Sequence, residues 1–222
     1  MLMSWRPLLF ASIFLVAILA PMNSSLVGQA EAEDTIVCCD SISQNLYLIG
    51  SDSSGTLSPF AQDLGETTMT KTIANAVASE ETVGTWSLPE VWPGTVPAST
   101  WSLSMAYEVT DAAGAQINAT ASLQIGSQTY SASTPAGNSF LAQGTGTLTF
   151  DIDVEATSIS SSSNVVLTLT AQTVVFSLPT GDAKLEFQWG SEDADSHIEG
   201  EMPLLSLTLL DPEAEGSEVY FS

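Results

Sequence analysis

The sequence predicts an all-β protein, an antiparallel β-sandwich of jelly-roll type that follows an N-terminal signal peptide. Three observations carry that prediction. Apolar and polar residues alternate with period two over several separate runs, the pattern of strands with one buried and one wet face. Turn-forming residues separate these runs at short, regular intervals, and no segment carries a convincing helical period.

The chain opens on a targeting segment. Arg6 is the one charge ahead of an apolar run over residues 8–20, which only Ser12 interrupts and Pro21 ends. Ala30-Glu31-Ala32 then has the small-x-small form of a cleavage site, completing a secretory signal peptide. The run is short for a bilayer span of about 20 residues. The expectation is secretion after cleavage near Ala32, with residues 33–222 forming one sandwich domain. The alternative is an uncleaved segment that anchors the protein to the outer face of the membrane. Cys38 and Cys39 are the only cysteines and are adjacent. They exclude a multi-disulfide framework and leave a vicinal disulfide, an interchain bond or a reduced pair on a strand.

Residues 45–49, 67–76 and 82–88 are the first expected strands. The stretch 89–97 carries Pro89, Pro93 and Pro97, so it reads as an extended connection over the sandwich rather than an interior strand. From residue 100 the alternation is clearest. Trp101, Leu103, Met105, Tyr107 and Val109 mark a strand over 100–109, and Ile117, Ala119, Ala121, Leu123 and Ile125 mark one over 116–125. Leu148, Phe150, Ile152 and Val154 mark a strand over 147–155, and Leu185, Phe187 and Trp189 mark one over 184–189. Leu205, Leu207 and Leu209 repeat the theme. Residues 164–176 are more evenly apolar and rich in Thr, as in a central strand covered on both faces. Turns are expected at 111–114, 126–127, 135–137, 160–163 and 179–182. Residues 217–222 look like one more strand, expected to complete a sheet edge, with strand addition to a partner as the alternative.

Charge removes whole classes of function. Against 26 Asp and Glu stand three Lys and Arg, for a net charge of −23. Nucleic acid and anionic membrane surfaces both recruit basic patches and are excluded as partners. An acidic disordered tail is excluded too, since 44% of residues are hydrophobic. Beyond the signal segment only Lys71 and Lys184 are strong cations. Water and dissolved cations must therefore neutralise most carboxylates, which suits a saline exterior.

Catalytic motifs are missing. His197 is the sole histidine, Gly50-Ser-Asp-Ser-Ser-Gly55 has the wrong spacing for a nucleophile elbow, and no phosphate-binding glycine loop exists. The expectation is a protein that is not an enzyme. A hydrolase or lyase working on glycans with two paired carboxylates is the enzymatic alternative.

The densest polar cluster lies in 190–201, expected to be a loop. Glu192, Asp193, Asp195, Glu199 and Glu201 there form a candidate calcium site, because calcium collects several oxygens. It is not an EF-hand, whose invariant glycine position would fall on Ile198. Asp151, Asp153 and Glu155 share one strand face and read as its wet side. Trp101 and Trp189 fall in the inward phase of their strands. Trp92, beside Pro93, is the candidate ligand-binding aromatic. Asn118-Ala-Thr120 is an N-glycosylation sequon at an outward position.

These features point to a secreted, acidic β-sandwich of adhesion, surface-structural or ligand-binding type, with calcium as the candidate bound ion. A glycan or another cell-surface protein is the expected partner, and a carbohydrate-binding module is the sharper alternative. In architecture this resembles the secreted jelly-roll and carbohydrate-module sandwiches. No motif carries that likeness, so it assigns no residue a role.

Overall fold

In a computed structural model of the chain the pattern of alternation is realised as fourteen strands among the described residues. It describes residues 41–73, 80–88, 94–135, 139–160, 164–203, 213–215 and 218–220, the last two by backbone alone. Trp92, Cys38, Cys39, the signal segment and Leu205, Leu207 and Leu209 lie outside the described residues.

The strands are β1 (Ser41–Gly50), β2 (Gly55–Ser58), β3 (Met69–Ile73), β4 (Glu81–Ser87), β5 (Gly94–Val96), β6 (Ser99–Ile125) and β7 (Gln128–Ser133). They continue with β8 (Ser139–Val154), β9 (Thr157–Ile159), β10 (Val165–Ser177), β11 (Lys184–Trp189), β12 (His197–Pro203), β13 (Glu213–Glu215) and β14 (Glu218–Tyr220). Ten of them form one sheet, ordered β10-β4-β2-β1-β12-β6-β11-β3, with β7 and β8 also on β6. A further pairing of β10 with β6 returns this path to its own start. The fold is therefore an all-β, sandwich-like wrap, antiparallel throughout except where β2 meets β4.

Strand β6 organises everything else. The expected turn at 111–114 is instead a bulge inside this strand, with Asp111 at φ 55° and a register shift against β8 between Val109 and Gly114. Extra residues on one strand of a pair bend it and increase its twist. The first half of β6 pairs with β12 and β11, and the second half with β10 and β7. Strand β8 runs along the edge opposite β12, β11 and β10, the edge that β7 continues. The turn at 126–127 does form, closing the β6–β7 hairpin.

Inward residues of these strands make one core. Trp86, Trp101 and Trp189 are fully buried, as the inward phase of Trp101 and Trp189 requires. Trp86 and Trp189 meet edge to face, with centroids 5.3 Å apart. Glycine makes room for them. A Cβ on Gly55 or Gly84 would fall 2.1 Å or 2.4 Å from the Trp86 ring, and one on Gly200 would fall 2.1 Å from that of Trp101.

Three other expectations are corrected. Strand β10 is central, with β4 on one edge and β6 on the other, yet only its inward residues are fully buried. Its Thr168 and Thr170 stay half-exposed, because hydroxyl-bearing positions tolerate water where Leu167 and Leu169 do not. Gly94–Val96, inside the expected connection, pairs with β9 as a small separate sheet. Residues 218–220 pair with 213–215 in a two-stranded sheet of their own, not with an edge of the main one.

Candidate functional site

The expected acidic loop is only half a loop. Hydrophobic alternation at Ile198, Gly200 and Met202 carries 197–203 into β12, so Glu199 and Glu201 stand on a strand face. Glu192, Asp193 and Asp195 remain in the connection, beside a shallow recess of about 340 Å³ shared with Gln188, Thr145 and Thr147. The five carboxylates are thus divided between two places. Among the described residues no group of three or more His, Cys, Asp or Glu is arranged to hold a metal ion.

Two serines hold the loop. Ser196 is fully buried; its Oγ accepts the backbone N–H of Ala106 at 2.9 Å and donates to the carbonyl of Gln188 at 2.7 Å. Ser191, also buried, shares a hydrogen bond of 2.7 Å with Thr68 Oγ1 and accepts the Ala194 N–H at 3.3 Å. The loop's buried hydroxyls are therefore spent on backbone groups and on the Thr68 side chain. At its end His197 Nδ1 lies 3.0 Å from Asp195 Oδ1, and its ring lies 5.8 Å from that of Tyr47. Among the described residues no serine hydroxyl is hydrogen-bonded to this ring.

A different constellation is assembled on the outer face of β1, β12, β6 and β8. Ser43 lies opposite Glu201, Glu199 opposite Ser102, and Ser102 opposite Asp151, while Thr100 lies opposite Asp153. Each of the four carboxylates receives a hydroxyl hydrogen bond. Ser41 Oγ donates to Glu201 at 2.8 Å, Ser43 Oγ to Glu199 at 2.7 Å, Thr100 Oγ1 to Asp153 at 2.9 Å and Ser102 Oγ to Asp151 at 2.7 Å. An open groove of about 460 Å³ runs over this face, lined by Ser43, Thr100, Ser102, Glu199 and Glu201 among others. Asp151 and Asp153 read from the sequence as an ordinary wet face. What the sequence does not show is that β12 brings Glu199 and Glu201 to the same face, two strands away. The only local signal is the Ser or Thr at alternate positions of 41–43 and 100–102.

Asn118 sits half-exposed in mid-strand on β6, opposite Gln172 of β10. Of the cations, Lys71 is committed to Asp52 at 3.0 Å.

No protein-family profile matches the chain, and no curated protein sequence matches it. Fourteen solved chains are similar to it in structure. One is a CocE/NonD family hydrolase from Staphylococcus aureus, at 8% identity and a TM-score of 0.50, over 74% of this chain and 37% of that one. At such identity the likeness shows the fold alone. The chain spans little more than a third of that hydrolase's length.

Proposed function

We propose that this protein is an exported, non-catalytic sandwich module whose outer β1–β12–β6–β8 face binds polyhydroxylated ligands, glycans above all. The observation that carries the reading is the carboxylate–hydroxyl array. Four carboxylates stand on a rigid sheet, each oriented by a serine or threonine donor. Each keeps acceptor capacity for the hydroxyls of a sugar, since an ionised carboxylate offers about four lone-pair sites. Holding acceptors in place beforehand lowers the ordering cost of binding. The groove beside Glu199 and Glu201 is open rather than a cleft, and polar side chains dominate its lining. Trp86, Trp101 and Trp189 are all in the core, so none of these three offers a stacking platform on this face.

The shared fold with part of a much longer hydrolase chain supports reading the sandwich as a module. Export rests on the signal segment, and the acidic surface suits a saline medium. A glycan array followed by calorimetry on the best hit tests the reading. The expected result is binding by the native chain and at least a tenfold loss in the quadruple variant Asp151→Asn, Asp153→Asn, Glu199→Gln, Glu201→Gln. Equal binding by the two proteins, or no glycan bound by either, would end it.

A further inference from the structure

Strand β8 gives one edge to β6, and among the described residues no strand takes the other. A long row of unpaired backbone donors and acceptors is something folded proteins suppress with lysine, proline, bulges or a covering segment. Here the protection is a bulge at one end and the charges of Asp151 and Asp153 at the other, with the middle of the strand bare. Gly144, at φ 88°, marks a bulge. From it to Val154 the strand runs without lysine or proline, its outward residues Thr145, Thr147, Thr149, Asp151 and Asp153 all exposed. Leu148, on the inward side, is only partly buried although it packs on the core.

We propose that this edge pairs with the same edge of a second copy, β8 antiparallel to β8 across a two-fold axis at Thr149. That register follows from the side chains. A two-fold contact must be self-complementary, and residues directly opposite on one face lie about 4.5–5.5 Å apart at Cβ. With Thr149 facing itself, Thr147 faces the partner's Asp151 and Thr145 faces the partner's Asp153. Every carboxylate meets a hydroxyl and none meets another carboxylate. The same residues already make this kind of pair on the other edge, where Thr100 and Ser102 donate to Asp153 and Asp151. On the inward side Leu148 comes to face the partner's Phe150, closing the part of the core that the free edge leaves open. Both copies are strongly acidic, so association strengthens with salt.

The experiment is light scattering on the full chain at high micromolar concentration in molar salt, with cysteine cross-linking in a Cys38→Ser, Cys39→Ser background. The expected mass is twice that of one chain. Under mild oxidation Thr149→Cys becomes a covalent dimer, whereas Thr145→Cys does so only when combined with Asp153→Cys. Thr147→Asp sets an acid against the partner's Asp151 twice and returns the protein to single-chain mass with an unchanged far-ultraviolet spectrum. A native chain of single mass overturns the proposal. So does a dimer that survives Thr147→Asp, or one in which Thr149→Cys fails to cross-link.

Discussion

The hydroxyl of Ser196 accepts the backbone N–H of Ala106 at 2.9 Å, at the point where two strands meet end to end along a third. Strand β12 pairs with β6 at residues 102–104, and β11 pairs with it from residue 106 onward. In the gap between them the serine stands in for a strand carbonyl and donates its own hydroxyl hydrogen bond to the carbonyl of Gln188. The acidic loop is in this respect a splice between two strands.

Ser196→Ala removes that splice and leaves the Ala106 N–H buried without its acceptor. A loss of about 1–3 kcal/mol is expected, the cost of one unsatisfied buried group. Urea unfolding followed by tryptophan fluorescence measures it. A midpoint equal to that of the native chain would show that the hydroxyl carries no weight.

Gly200→Ala tests the packing of Trp101. The added Cβ would lie 2.1 Å from the indole, and the fully buried ring has nowhere to retreat. Overpacking of this kind costs about 1–3 kcal/mol. Gly144→Ala is the control. Nothing lies within 4 Å of its Cβ, but φ is 88°, so any loss there comes from backbone strain alone. The expected difference between the two is in core emission, shifted in Gly200→Ala and native in Gly144→Ala.

Asp52 and Lys71 form an exposed pair, with 41% and 33% of their side-chain surfaces in solvent. The Lys71 hydrogen bond first, and its charge second, hold the Asp52 carboxyl below its ordinary range. A carboxyl depressed in the folded state adds stability above its unfolded pKa and loses it as pH falls through the lower folded value. Carbon-detected NMR titration should therefore find Asp52 ionising below the usual aspartate range, and Lys71→Gln should return it there. Screening makes the effect on overall stability small. Coincident titrations in the two proteins would show that no such pair forms.

With a net charge of −23, self-repulsion destabilises the folded state until salt screens it. Raising the ionic strength from about 0.01 M to about 1 M shortens the Debye length from about 30 Å to about 3 Å. The melting temperature should climb through that series, and magnesium should match calcium at equal ionic strength. A specific rise with calcium would instead point to a bound ion.

Much of this molecule is legible in the chain. Alternation at 101–109, 117–125, 148–154 and 185–189 marks strands and their inward residues, since side chains on a strand switch faces at each step. It fails at 111–114, where turn chemistry marks a bulge within β6, and at 197–203, where acidic residues mask a strand behind a small inward Gly200. The fully buried tryptophans follow from phase; two of the glycines that admit them do not, because Gly55 and Gly200 come from other strands, and only Gly84 sits on the same strand as its tryptophan, two residues before Trp86.

The sequence by itself determined the all-β class, the acidic surface and the missing catalytic motifs, since each is a property of composition or of near neighbours along the chain. Tertiary structure alone decided that Asp151 and Asp153 share a face with Glu199 and Glu201, and that Glu192, Asp193 and Asp195 do not. The reason is register. A strand dictates which of its own residues face outward, but only pairing through β6 decides which distant carboxylates stand beside one another.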